Sequence, residues 1–162
     1  ELDDVEGLDL VIDGADEVDA AFQLIKGGGA ALLREKLVAQ ASGAMVVVAD
    51  DRKMVETLGA FPLPIEITRF GHGTTVRAIM DVLRCRAELR MEGEAPLVTD
   101  NGNFIVDAHT GPHLTHPANS EAALLRLAGV VQVGLFIDMC DVVHLAGASG
   151  AERLVRSGGR LA

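Results

Sequence analysis

Short apolar runs alternate with polar turns and one strongly helical segment in the first third of the chain. Residues 8–12 have the length of a buried strand, and residues 45–49 form a second such run. Between them, residues 30–41 are rich in Ala, Leu, Arg, Glu and Lys and predict a helix that Ser42 and Gly43 end. This order predicts a parallel pair of strands joined by a helical crossover.

The segment between the first strand and the helix is less regular. Residues 16–21 are predicted to form a polar turn, and residues 22–25 a short apolar segment. That segment leads into three consecutive glycines at residues 27–29. We therefore expect the chain to change direction here before the helix begins.

The pattern alternates more evenly after residues 61–64, where two prolines flank Leu63. It predicts strands at residues 64–68, 87–91, 96–99, 104–108 and 130–134, and helices at residues 74–84 and 119–127. An Asn-Gly step at residues 101–102 predicts a hairpin turn. We interpret the whole order as a βαββαβ unit of the ferredoxin-like kind.

The predicted fold class is α/β, in two parts. A Rossmann-like parallel-sheet domain is predicted from residues 1–62 and 135–162, with a further strand at residues 142–145. A ferredoxin-like α+β domain, residues 63–134, is predicted to be inserted into it. The tail at residues 153–162 is predicted to fray.

Composition narrows the functional classes. The 162 residues carry a formal net charge of −10, which disfavours nucleic acid as a partner because its phosphates would be repelled. No apolar run approaches the roughly 20 residues that span a bilayer, so we expect a soluble, cytoplasmic protein without a membrane partner. Cys85 and Cys140 are too few for a disulfide framework and are predicted to be free thiols.

Two motifs in residues 12–36 concentrate the candidate chemistry, namely Asp-Gly-Ala-Asp at residues 13–16 and Lys-Gly-Gly-Gly at residues 26–29. The first follows a strand, at the end where open α/β sheets bind ligands, and the second lets the backbone approach an anion closely. Two simpler interpretations stay open: a turn with a helix cap, and a flexible entry to the helix. The glycines match neither the dinucleotide fingerprint nor the P-loop.

Glu35 is an unusual residue on the predicted helix. A helical wheel places it on a face of small and apolar residues, namely Gly28, Ala31, Leu32, Val38, Ala39 and Ser42. Arg34 and Lys36 lie on the flanks of that face, where we expect both to reach water. Partial burial would raise the pKa of Glu35 and make it a better base, whereas Lys26 would act in the opposite direction. The alternative is a glutamate that pairs with a basic neighbour or points to solvent.

Three histidines, His109, His113 and His116, lie in one predicted loop. Their spacing would tolerate a metal, but no cysteine or helix pair completes a recognisable ligand set. Solvent-exposed loop histidines are the simpler interpretation, so we predict no metal site.

Six motifs follow one another along the chain: IDGADEVD, LIKGGGAALLREK, VVVADDRK, FPLPIEI, VTDNGNFIVD and GVVQVGLF. Together they closely resemble ribose-5-phosphate isomerase of type A, and the resemblance covers residues 8–145. It implies an aldose-ketose isomerase of the pentose phosphate pathway. Such an enzyme interconverts ribose 5-phosphate and ribulose 5-phosphate through an enediolate, with no metal and no cofactor.

The resemblance also implies a role for each candidate residue. Glu35 would shuttle the proton between C2 and C1 of the sugar. Lys26 and the glycine amides would stabilise the enediolate, and Asp13 and Asp16 would handle hydroxyl protons and ring opening. The implied substrate-binding residues are Asp13, Gly14, Ala15, Asp16, Lys26, Gly27, Gly28, Gly29 and Lys53.

Family members carry an N-terminal loop of Gly, Ser and Thr that binds the phosphate, and no segment of this sequence matches it. We therefore expect residues before Glu1 to supply that loop, and the chain alone to be weakly active or inactive. The resemblance implies a homodimer or homotetramer whose ligand is a small-molecule sugar phosphate. The alternatives are a sugar-phosphate-binding sensor on a related fold, without catalysis, and a transferase with a glutamate nucleophile.

Overall fold

The computed structural model describes residues 2–161, and within that range the chain forms three α-helices and thirteen strands. The helices are α1 (Leu32–Ala41), α2 (His72–Leu83) and α3 (Pro117–Leu125). The strands are β1 (Val11–Asp13), β2 (Glu17–Val18), β3 (Leu24–Ile25), β4 (Met45–Asp50), β5 (Leu63–Ile67), β6 (Arg86–Leu89), β7 (Met91–Glu92), β8 (Ala95–Pro96), β9 (Phe104–His109), β10 (Val130–Val133), β11 (Leu135–Phe136), β12 (Val142–Gly147) and β13 (Gly150–Val155). None of the helices in this range is long and apolar enough to cross a bilayer.

The first sheet has the strand order β1-β4-β12-β13 and is parallel except at β13. β1 and β4 pair in parallel, with Val11 opposite Met45, and α1 connects them, which confirms the predicted strand, helix and strand. β1 begins later than the strand predicted at residues 8–12. The reason is that the backbone of Leu8 bonds to the end of α1, through the Ala41 carbonyl and the Gly43 N–H. β1 is also not buried as predicted, since Ile12 is 65% exposed.

The C-terminal segment is more ordered than the sequence predicts. β13 pairs antiparallel with β12 along its whole length, and beyond it Arg160 Nη2 lies 2.9 Å from Oδ2 of the buried Asp141. The same Oδ2 accepts the Met45 N–H at 2.9 Å. A buried carboxylate needs such partners, and the tail supplies one of them. The prediction that residues 153–162 fray is therefore wrong; Glu1 and Ala162 lie outside the described residues.

The second sheet has the order β10-β5-β9-β6 and is antiparallel throughout. α2 connects β5 to β6 and α3 connects β9 to β10, which is the predicted βαββαβ order. Ile79 of α2 and Leu124 of α3 are fully buried against the sheet. The fold class, a Rossmann-like α/β sheet with a ferredoxin-like unit, is therefore confirmed.

The domain boundaries at residues 62/63 and 134/135 remain a prediction. The core of the second sheet also takes up Ile25, Leu58 and Leu135, which lie outside residues 63–134. A separate core packs on the first sheet and includes Met45, Val143 and Phe136. The two cores therefore draw on neighbouring parts of the chain, and the two sheets are closely joined.

The predicted hairpin around the Asn-Gly step is only partly present. The turn exists, since the Thr99 N–H donates to the Asn103 carbonyl and Gly102 has a positive φ of 77°. The strand predicted at residues 96–99 is wrong, because β8 pairs with β7 and only Val98 bridges to β9. The turn is held instead by the buried carboxylate of Glu66, whose Oε1 accepts hydrogen bonds from Thr99, Asn101 and Asn103.

A small antiparallel sheet, β11-β3-β2, lies between the two larger sheets. Its first strand, β2, falls in residues 16–21, for which the sequence predicts only a polar turn. Glu17 on β2 is buried because its carboxylate accepts the Gly59 and Phe61 N–H groups, both at 2.6 Å. Those partners are more than 40 residues away in sequence. The polarity of residues 16–21 alone therefore gives the wrong prediction, a turn without a strand.

Candidate active site

A cavity of about 150 Å³ opens where β1 and β4 end. It is lined by all ten residues that the sequence singles out, namely Asp13, Gly14, Ala15, Asp16, Lys26, Gly27, Gly28, Gly29, Glu35 and Lys53. β1 ends at Asp13, and β4 leads into a 3-10 turn, Asp51–Lys53, that carries the lysine. Because parallel strands present their carboxyl ends on one edge, the two ends bring these segments together. The small volume suits a small polar ligand rather than a dinucleotide.

Lys26 occupies the floor of this cavity and is buried. Its Nζ donates to the Gly14 carbonyl at 2.6 Å and lies 2.9 Å from Asp13 Oδ2 and 3.4 Å from Glu35 Oε2. The ring of Phe136 lies beneath it, with the centroid 5.5 Å from Nζ. A charged amine in this low-dielectric position is held by carboxylates on two sides.

Glu35 is partly buried, and its pKa is raised above the ordinary value of 4.5. Burial is the largest cause; Lys26 lowers the pKa, while the charges of Asp13 and Asp16 raise it. Oε2 is buried and receives no hydrogen bond from any residue in the range 2–161, so its 3.4 Å contact with Lys26 is electrostatic. The carboxylate therefore keeps an acceptor oxygen that a bound molecule with a suitable proton could use.

The glycine loop, residues 27–29, is fixed on its cavity side by Asp16. Oδ2 of Asp16 accepts the Gly28 N–H at 2.7 Å. Gly27 has a positive φ of 106°, and a Cβ there would lie 2.8 Å from Leu32 Cδ2, so glycine is required. A Cβ at Gly28 would lie 2.6 Å from Asp16 Oδ1. The loop therefore packs directly on the carboxylate.

Lys53 closes the cavity on the side of β4. Its Nζ donates to the Ala15 carbonyl at 2.7 Å, and the side chain is partly buried. This bond uses one of the three N–H groups of the ammonium, and the remaining two can serve a ligand in the cavity.

The prediction that Lys36 reaches water is wrong. Lys36 is instead buried, and its Nζ lies 2.6–2.8 Å from four acceptors, namely Glu121 Oε1, Gln132 Oε1, the Val133 carbonyl and the Leu135 carbonyl. Burial lowers the pKa of Lys36, while Glu121 raises it. Leu32, Lys36 and Ala39 form the buried side of α1, and their spacing of four and three residues is the signal that could have indicated this.

Replacing Lys36 by Met is expected to lower the free energy of unfolding by about 3 kcal/mol, because it leaves a partly buried carboxylate and two carbonyls without their donor. Urea denaturation of the purified protein measures this. Arg34→Met is the matched control on the same helix. Arg34 is exposed and pairs with Asp100, so its loss should cost about 1 kcal/mol or less. Equal losses in the two variants would contradict the structural role of Lys36.

The three histidines do not contribute to this cavity, and they do not share one loop as predicted, because His109 is the last residue of β9. His109 Nε2 lies 3.1 Å from Glu88 Oε1 on the outer part of the second sheet. In the part of the chain that the structure describes, no group of three or more His, Cys, Asp or Glu side chains is arranged to hold a metal ion.

A larger cavity of about 520 Å³ lies elsewhere, between α2 and the segment before β10. Its lining is mostly apolar and contains no titratable side chain, the residues being Thr68, Phe70, Gly71, Thr74, Thr75, Ala78, Leu127, Ala128 and Gly129. The small cavity, which brings together lysines and carboxylates, is therefore the candidate active site.

The chain is similar to known proteins over almost its whole length. The sequence model of the family described as ribose 5-phosphate isomerase A (phosphoriboisomerase A) matches residues 1–150. The curated ribose-5-phosphate isomerase A of Dinoroseobacter shibae is 52% identical over 159 residues, which are 94% of this chain and 61% of that protein. A relative from Cereibacter sphaeroides is also 52% identical, over 92% of this chain and 59% of its own length. The chain thus spans about three fifths of these curated relatives.

Solved structures give the same result. Ribose 5-phosphate isomerase from Plasmodium falciparum superposes with a TM-score of 0.89 at 32% identity, covering 92% of this chain and 66% of that one. Ribose 5 phosphate isomerase A from Neisseria gonorrhoeae gives a TM-score of 0.89 at 39% identity, covering 97% and 68%. A D-ribose-5-phosphate isomerase solved in complex with phospho-erythronic acid gives 0.91 at 38% identity, covering 96% and 69%.

Proposed function

Because the chain belongs to the ribose 5-phosphate isomerase A family, we propose that its site interconverts ribose 5-phosphate and ribulose 5-phosphate through an enediolate. The observation that carries this proposal is the partly buried Glu35 carboxylate, whose free Oε2 lies 3.4 Å from the buried ammonium of Lys26. A base and a cation side by side are what proton abstraction next to a carbonyl requires.

Glu35 is the proposed proton shuttle. It removes the proton from C2 of the open-chain aldose and returns it to C1, so that one carboxylate serves two adjacent carbons. Its raised pKa suits this role, because a base with a pKa nearer to neutral is a stronger proton acceptor and, once protonated, still an adequate donor.

Lys26 is the proposed electrostatic stabiliser. Negative charge develops on the sugar oxygens as the proton leaves C2, and a preorganised ammonium in a dry site stabilises that charge strongly. Because Lys26 is held between Asp13 and the Gly14 carbonyl, it needs no rearrangement when the charge appears. The glycine loop amides assist it from the other side of the cavity.

Asp13 and Asp16 are proposed to open the sugar ring and to move the O2 hydroxyl proton to O1 as the enediolate becomes the ketose, and Lys53 to hold the ligand. The substrate is a small sugar phosphate, and no metal or cofactor takes part in the proposed reaction. We further propose a cytoplasmic homodimer or homotetramer, following the resemblance on which the assignment rests.

The decisive experiment is a coupled assay of ribulose 5-phosphate formation from ribose 5-phosphate, with a chelator present. It compares the 162-residue chain with a chimera in which this chain is joined to the parts of the D. shibae relative that it does not match. Turnover by the chimera supports the proposal, and turnover by the chain alone shows that these residues suffice. Binding without turnover in the chimera would favour a sensor, and loss of turnover on chelation would overturn the metal-free mechanism.

The pH dependence follows from the raised pKa of Glu35. Glu35 acts as a base only when it is ionised, so a ¹³C NMR titration of its carboxyl carbon in the free protein is expected to give a midpoint above 4.5. The acidic limb of kcat/KM should follow that midpoint. Lys26 lowers this pKa, so Lys26→Met should move the midpoint further up. A midpoint at or below 4.5, or a downward shift in the variant, would contradict the assignment.

A further inference from the structure

Arg90 connects the second sheet to the glycine loop of the candidate site. It lies between β6 and β7, and its Nη1 donates to the Gly27 and Gly28 carbonyls, both at 2.9 Å. On its other edge, Nε and Nη2 donate to Asp107 Oδ2 and Oδ1 of β9 at 2.8 and 2.6 Å. Neither residue belongs to the lining of the cavity, so they do not take part in the mechanism proposed above.

The pairing with Asp107 gives Arg90 one orientation. A guanidinium bound by a carboxylate through two parallel N–H bonds is fixed in its plane, and its remaining N–H groups then point in set directions. The backbone of Arg90 is also tied to the sheet, because its N–H donates to the Ile105 carbonyl at 2.8 Å. Both side chains are mostly buried, with 16% and 19% of their surface exposed. The guanidinium is therefore a rigid support for the loop.

This support helps to set which way the loop amides face, together with a turn in which the Gly27 carbonyl also accepts the Ala30 N–H at 2.9 Å. In a trans peptide unit the carbonyl and the following N–H point in opposite directions, and the described residues contain no cis peptide bond. Arg90 draws the Gly27 and Gly28 carbonyls toward the second sheet. The N–H groups of Gly28 and Gly29 must then face the opposite side, where the cavity lies, and the Gly28 N–H reaches Asp16 there.

We infer that Arg90, oriented by Asp107, is a positioning residue that aims the glycine loop amides into the active site. The expected effect on catalysis rests on the proposed function. The expected effect on the structure of the glycine loop does not. Arg90 gives the second sheet an indirect part in the chemistry, through the position of the glycine loop. Misplacing oriented donors by about 1 Å lowers the rate by on the order of 10²-fold. We therefore expect kcat to fall while KM changes little.

The test compares Arg90→Met, which keeps the apolar stem, with Arg86→Met as a matched control. Arg86 lies on neighbouring β6, is exposed and pairs with Glu88 rather than with the loop. In the active protein, kcat for ribose 5-phosphate is expected to fall by about 10- to 100-fold in Arg90→Met, with KM changed by less than about threefold. Amide hydrogen exchange at Gly28, whose N–H is bonded to Asp16, should become at least about tenfold faster. Exchange in β5, which reports the stability of the second sheet, should increase less than exchange at Gly28, and the control should show none of these effects.

Asp107→Asn provides a second route to the same test, because it weakens the orientation of Arg90 without removing the guanidinium. Its effects on kcat and on exchange should have the same direction, and the double variant should be no worse than Arg90→Met, since the two residues act as one unit. Unchanged exchange at Gly28 in both variants would overturn the inference, as would an acceleration at Gly28 no greater than that in β5. If the parent protein shows no turnover, the proposed function fails, and the exchange data alone still decide the role of Arg90.

Discussion

Replacing Glu35 by Gln is expected to lower kcat for ribose 5-phosphate by about 10³-fold, because the amide cannot accept the C2 proton. The change is nearly isosteric, so KM should change little. The position of Glu35 supports this expectation: its buried Oε2 has no hydrogen-bond donor of good geometry among residues 2–161, and it lies 3.4 Å from Lys26, the other residue of the proposed mechanism.

Stability provides the control for this variant. The pKa of Glu35 is raised mainly by burial. The ionised carboxylate is therefore less stable in the folded protein than in water. Above that pKa the ionised carboxylate therefore contributes no net stabilisation, and Glu35→Gln should unfold in urea at the same concentration or higher. A variant that loses activity because it unfolds, or one that keeps the parental kcat, would contradict the assignment of the base.

Replacing Lys26 by Met is expected to lower kcat/KM by about 10²- to 10³-fold, the usual loss when one preorganised donor to a developing oxyanion is removed. The ammonium lies 2.9 Å from Asp13 and 3.4 Å from Glu35. Without it the two carboxylates face one another, which disfavours the ionised base as well. Both effects act in the same direction and reduce the rate at neutral pH.

The measurement for Lys26→Met is steady-state kinetics at several pH values, together with a check of the fold by circular dichroism. Raising the pH should recover part of the loss, because it restores the ionised form of Glu35, while the loss of oxyanion stabilisation remains. A loss that disappears entirely at high pH would assign Lys26 to tuning the base alone. Parental kcat/KM at neutral pH would remove it from the mechanism.

The sequence predicts the candidate site well because its parts are local. The motifs at residues 13–16 and 26–29 each follow the end of a short strand, and α1 carries Glu35 back over them. Position along a parallel sheet is enough to expect residues 13–16 and Lys53 at one edge, whereas residues 26–29 follow a strand of the small antiparallel sheet. The parallel pairing of β1 with β4 follows from the same reasoning.

The sequence fails where a side chain is defined by distant partners. Lys36 is separated by 85 to 99 residues from the groups that bury it. Asp141, which holds the tail, bonds to Met45 from 96 residues away. Arg90 reaches the glycine loop across 62 and 63 residues. Local polarity predicts all of these charged residues to be exposed, and only the tertiary fold brings their partners to them.

The most direct test of the central proposal follows the deuterium of ribose 5-phosphate labelled at C2. The parent chimera and its Glu35→Gln variant are incubated with this substrate in ordinary water and a chelator, and loss of the label from C2, to C1 or to solvent, is measured by NMR. We expect the parent to remove deuterium from C2 and to deliver it to C1 or to solvent as ribulose 5-phosphate forms, and the variant to remove it at least about 10³-fold more slowly. Equal rates of label loss in the two proteins would contradict the proposal that Glu35 moves the proton.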